Sequence, residues 1–167
     1  MQTDSLGQSS AIELFFNWLF GNGQDKIYDE NSEVVNDLRK SRKMNSLIQS
    51  AFDNYYDNEL SFTKGTDVFT TEDGHDLHYA INKFRYTISI DRETRTRGFW
   101  FWKRKETRLV ATVTVSDFYN FDESNNEKTI GTILNNIAFV YHNVFGGGED
   151  YEFSAIYTVK TEWSKVQ

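Results

Sequence analysis

A chain of 167 residues has the length of one domain, and its formal charge of −7 argues against general binding to nucleic acid. The absence of Cys excludes disulfides, thiolate catalysis and zinc-thiolate sites. Apolar runs such as Ile137-Ala138-Phe139-Val140-Tyr141 fall far short of the roughly 20 residues of a membrane-spanning helix, so a soluble domain is expected. Its core must be largely aromatic, because 14 Phe, 9 Tyr and 4 Trp provide much of the apolar area.

Residues 1–9 are polar and small and read as a tail or linker ahead of a single α+β domain over 10–167. Met1-Gln2-Thr3-Asp4 lacks the basic end and apolar stretch of a secretory signal, so export is expected only as part of a larger protein. Ser10 and Glu13 match a capping box, followed by Ala11, Ile12, Phe15 and Leu19 at helical spacing up to Gly21 and Gly23. Asn31 or Ser32 can cap a second helix carrying Val34, Val35 and Leu38. Ser41 opens a third, in which Met44, Leu47, Ile48, Ala51, Phe52 and Tyr55 form one apolar stripe.

Beyond Asn58 the composition turns to Thr, Val and aromatics, with an edge strand expected near 68–71 and a turn at Asp73-Gly74. Leu77 and Ile81 are four apart, as in a short helical stretch. From Phe84 the period is two, with Phe84, Tyr86, Ile88 and Ile90 on one face. Leu109, Ala111, Val113 and Val115 repeat that alternation, as do Tyr151, Phe153, Ala155, Tyr157 and Val159. Between the last two strands, Ile130, Ile133, Leu134, Ile137, Ala138 and Tyr141 predict a helix over 129–145, stopped by Gly146-Gly147-Gly148. These patterns predict N-terminal helices and one later helix packed on an antiparallel sheet of three to five strands.

The most unusual segment, 92–108, joins two alternating strands with seven basic and two acidic residues, a local charge of +5 that leaves −12 for the rest. At its centre Phe99, Trp100, Phe101 and Trp102 precede Lys103, Arg104 and Lys105. Aromatics beside cations have the composition of a membrane-interface contact or of a protein partner's site. Stacking on single-stranded nucleic acid is the least favoured partner. The plainer alternative makes Phe99 and Phe101 core residues of a strand edge, with the cations as a solvated rim.

Two further segments carry candidate chemistry. His75, Asp76 and His78 place imidazoles beside a carboxylate, which suits a general base or a divalent metal, although an acidic turn with exposed imidazoles explains the same residues. Asp117 and Asp122 flank the end of a strand, where a rigid element holds a carboxylate at an edge, or where Asp and Asn simply serve the turn. No Walker loop, nucleophile elbow or dinucleotide fingerprint is present, and no metal or other cofactor is expected.

Phe15-Phe16-Asn17-Trp18-Leu19-Phe20-Gly21-Asn22-Gly23, then Tyr28, the helix from Ser41 to Phe52, Ser116-Asp117-Phe118-Tyr119-Asn120-Phe121 and Leu134-Asn135-Asn136 together give a resemblance. The chain resembles the C-terminal toxin and effector domains of bacterial polymorphic proteins, including those attached to Rhs-type repeats. Asp117, Tyr119 and Asn120 also look like the Asp-x-Tyr-Asp signature of bacteriocins that cleave the lipid-linked peptidoglycan precursor. Asn120 replaces the second acid and no His-Arg pair follows, so no catalytic residue carries over. The resemblance implies a bacterial, secreted effector domain, and the aromatic and basic hairpin adds the expectation that it acts at or near a membrane. The alternatives are a hydrolase or metal-dependent enzyme using His75, Asp76 and His78, and an adaptor or immunity-type module whose acidic body docks a basic protein.

Overall fold

The computed structural model describes residues 10–73, 77, 81, 83–119 and 151–165. Helix α1 (Ser10–Phe20) ends at Gly21, whose amide donates to the Asn17 carbonyl. Strand β1 (Lys26–Tyr28) leads to helix α2 (Glu33–Lys40), and helix α3 (Arg42–Asn58) follows at once. Ser32 caps α2 by accepting from the Val35 amide. Ser41, fully buried, ends α2 and caps α3 by accepting from the Met44 amide. The Glu13 carboxylate accepts from the Glu33 and Val34 amides at the start of α2. Burial nonetheless holds that carboxyl above its usual pKa.

Strands β2 (Phe62–Val68), β3 (Lys83–Arg97), β4 (Arg104–Tyr119), β5 (Tyr151–Lys160) and β6 (Ser164–Lys165) complete the sheet, in the order β1-β5-β4-β3-β2 with β6 on β4. The fold is α+β, as expected, but the sheet is mixed, because β1 runs parallel to β5, and among the described residues it has six strands. A three-residue strand with no alternation of its own leaves no pattern in the sequence. Its neighbours show how it is held: the amides of Glu152 and Thr158, which flank the β1 pairing on β5, donate to the carboxylates of Asp25 and Glu30. The edge strand expected near 68–71 is β2, which instead ends at Val68. Phe69 then turns inward and stacks on Phe84 with ring centroids 4.1 Å apart.

Alternation decides which face is covered. Phe84, Ile88 and Ile90, Ala111, Val113 and Val115, and Phe153, Ala155 and Tyr157 fall on one face, where they meet Val34, Val35, Leu38, Met44, Ile48 and Phe52 of α2 and α3. The other face bears Thr87, Ser89, Thr112, Thr114 and Thr158. Leu77 and Ile81 are buried in the core, with the Ile81 amide bonded to the Leu77 carbonyl. The helix expected over 129–145 and its glycine stop lie outside the described residues.

Candidate functional site

β3 and β4 are longer than the sheet that flanks them. Hydrophobic alternation ends at Ile90 and Leu109, yet the pairing continues through Arg92↔Leu109, Glu93↔Arg108, Thr94↔Thr107, Arg95↔Glu106 and Thr96↔Lys105 to Arg97↔Arg104. Five residues beyond Arg92, the partner of the last core residue Leu109, at about 3.3 Å each, carry the ribbon roughly 17 Å past the core. Isolated two-stranded ribbons are marginal in water, so this one needs other support.

Charge provides part of it. Arg108 pairs with Glu93 at 2.6 Å, and Arg95 and Arg104 both bind Glu106, at 2.9 and 2.8 Å. Glu106 is only 5% exposed. The hydrogen bond from Arg95, with the nearby charges of Arg104 and Arg97, outweighs burial and holds its carboxyl below the usual pKa. Glu93 is lowered likewise, first by Arg108 and then by Lys160.

A bulge provides the rest. β5 leaves β4 at Lys160↔Val110 and β6 rejoins it at Ser164↔Thr107, so four steps along one chain match three along the other. The Leu109 amide, which the extra residue would strand, donates to the Thr161 hydroxyl. One inserted residue reverses which face the following side chains take. Trp163 therefore lands on the outer face beside Arg108, its ring 4.0 Å from the Arg95 guanidinium and 4.4 Å from that of Arg108. On the inner face the Arg92 guanidinium lies 5.6 Å from the Tyr55 ring.

The ribbon presents its tip as a tight turn. Gly98 has φ +116°, and a Cβ there would lie 2.2 Å from the Trp102 carbonyl oxygen. Residues Trp100–Trp102 form one 3-10 turn, with the Trp102 amide donating to the Phe99 carbonyl at 3.1 Å. Trp100 takes a left-handed φ of 50°, uncommon for a bulky side chain. Phe99, Trp100, Phe101 and Trp102 are 81, 72, 87 and 86% exposed. The Trp100 and Phe101 rings stack nearly parallel at 5.7 Å. Placing Phe99 and Phe101 in the core is thereby corrected: they lie past the last sheet layer, exposed, with no described residue covering them. Lys103, Arg104 and Lys105 are exposed directly behind.

The remaining candidates do not join this site. Asp73 is a structural cap: its carboxylate accepts from the Lys43 amide at 2.7 Å, the Ser41 hydroxyl and the Thr70 amide and hydroxyl. Partial burial raises its pKa, but these donors win and hold it below the usual range. Asp117 is half-buried on β4, opposite Phe153. His75, Asp76, His78 and Asp122 lie outside the described residues. Among the described residues no group of three or more His, Cys, Asp or Glu side chains is placed to hold a metal ion, and no helix is long and apolar enough to cross a membrane.

Arg95, Arg97 and Glu106 belong to the site and lie in the charged segment 92–108 but outside the candidate residues Phe99 to Lys105, whereas Trp163 was not singled out from sequence. Glu93 with Arg108, and Arg95 with Glu106, stand at equal distances from the centre of the tip, which is the readable sign of a charged hairpin. Trp163 gives no such sign, because its place depends on the bulge. No protein-family model matches the chain, and no curated protein matches it.

Proposed function

We propose that this chain is a membrane-surface module, of the toxin-like effector kind that its resemblance implies, which contacts anionic lipid through the tip of the β3–β4 ribbon. One observation carries the reading: four consecutive large aromatics, each at least 72% exposed, stand at the end of a braced ribbon rather than in the core. Exposed apolar patches of this kind mark interaction surfaces. Trp and Phe seat at the boundary between headgroups and acyl chains. Lys103, Arg104 and Lys105 add electrostatic attraction of about 1 kcal/mol per cation near an anionic surface, which offsets the repulsion expected from the acidic body.

Co-sedimentation with vesicles tests this directly. The protein should bind vesicles containing phosphatidylglycerol, bind phosphatidylcholine vesicles less, and release as salt shortens the screening length. Its tryptophan emission should shift to the blue on binding. Absence of binding to either vesicle at low salt would reject the reading.

A further inference from the structure

The outer face of the ribbon holds an unbalanced arrangement of charge immediately behind the aromatic tip. Arg97 and Arg104 are partners on the last rung of the ladder, so both side chains leave the same face. Like charges set directly opposite one another destabilise a ribbon. Glu106, the next position on that face of β4, answers this in part, but its two oxygens are taken by Arg95 and Arg104. Arg97 makes no ion pair among the described residues. Three guanidinium groups therefore share one carboxylate, which leaves a local excess of two positive charges at a place where sequence rules favour balance. Such local violations concentrate at functional positions.

We propose that Arg97 and Arg104 form a site for a phosphomonoester dianion displayed on a lipid surface, a proposal that rests on the membrane reading for where the phosphate is found. A phosphomonoester carries up to two negative charges and three acceptor oxygens, which matches the excess of two and the forked donors of paired guanidinium groups. Glu106, almost wholly buried, holds Arg95 and Arg104 in place before any ligand arrives. Depth agrees as well. Each of the two arginines lies two residues behind the nearest aromatic, about 7 Å at strand spacing, which is where the phosphate layer lies when side chains seat at the headgroup boundary. Lys105 supplies an internal comparison, because it pairs with Thr96 and so projects from the opposite face.

The test measures partition onto phosphatidylcholine vesicles doped with phosphatidic acid or with phosphatidylserine at matched surface charge, for the parent protein, Arg97→Gln and Lys105→Gln. The parent should favour phosphatidic acid several-fold. Arg97→Gln should lose that preference and bind phosphatidic acid about tenfold more weakly, the loss of one charge-assisted contact, with an unchanged melting temperature. Lys105→Gln removes the same charge and should weaken both vesicles slightly while keeping the preference. Equal behaviour of the two variants, or a parent without preference, overturns the site. Binding to neither vesicle means that the membrane reading itself has failed. A titration with inorganic phosphate at fixed ionic strength, followed by the NMR signals of the arginine Nε–H groups, then decides: shifts at Arg97 and Arg104 reassign the site to free phosphate, and no shift removes it altogether.

Discussion

The guanidinium of Arg95 lies 4.0 Å from the ring centre of Trp163 while its other side binds Glu106, so the C-terminal segment braces a ribbon that the core does not reach. Stacking of a cation on Trp contributes about 1 kcal/mol, and Arg108 takes the same ring at 4.4 Å. Trp163→Ala should therefore speed amide hydrogen exchange in 92–97 and 104–108 by tenfold or more and leave exchange in the α3 and β4 core nearly unchanged. Uniform loss of protection across the whole chain would contradict a local brace.

Acid should loosen the same ribbon. Glu106 and Glu93 have pKa values held below the ordinary range of a glutamate, so each binds its proton more weakly folded than unfolded. Their contribution is present above the unfolded value and fades as pH falls through the lower folded one. NMR signals of the ribbon should broaden or shift below about pH 4.5, and Glu106→Gln should bring that state to neutral pH. A ribbon unchanged down to pH 2 would show that the pairs do not hold it.

Gly98→Ala sets a Cβ against the Trp102 carbonyl at a φ of +116°. The strain, of order 1–3 kcal/mol, falls on a turn that supports nothing else. The melting temperature should barely move, whereas the near-ultraviolet circular dichroism of the stacked Trp100 and Phe101 should weaken and vesicle affinity should drop. Intact affinity with a disordered tip would mean that tip geometry is irrelevant to contact.

Asp73→Ala removes the acceptor that ties the segment after β2 to the start of α3. Loss of a helix cap costs about 1–2 kcal/mol, and here the buried Ser41 hydroxyl loses a partner as well. Urea unfolding should report destabilisation of that size or slightly more, with vesicle binding unaffected at temperatures where the variant stays folded. An unchanged urea midpoint would refute the capping role.

Elements that bury a regular stripe were legible in the sequence. The three helices, and the strands through Ile88, Val113 and Ala155, follow hydrophobic period alone, and Ser32 and Ser41 signal the caps they make. What the sequence hid depends on partners far along the chain. β1 exists only through β5, and the Asp25 and Glu30 carboxylates that extend its edge carry no local sign. The hairpin beyond Ile90 was visible as a charged segment, but the length of its pairing was not, because its alternation is of charge and threonine rather than of apolar residues. The aromatic tip was visible as composition, but its exposure depends on how far β3 and β4 outrun their neighbours. That length follows from register.

Depth-dependent quenching of tryptophan fluorescence by brominated lipids in anionic vesicles tests the account most directly. Trp18 is buried in the core and Trp163 lies under two guanidinium groups, so quenching by lipid should come from Trp100 and Trp102. The account predicts strong quenching by bromine near the headgroup boundary, weaker quenching by bromine deep in the acyl chains, and loss of both in Trp100→Ala/Trp102→Ala with an unchanged melting temperature. Vesicle-bound protein whose fluorescence no brominated lipid quenches, or a double variant that binds as the parent does, would contradict it.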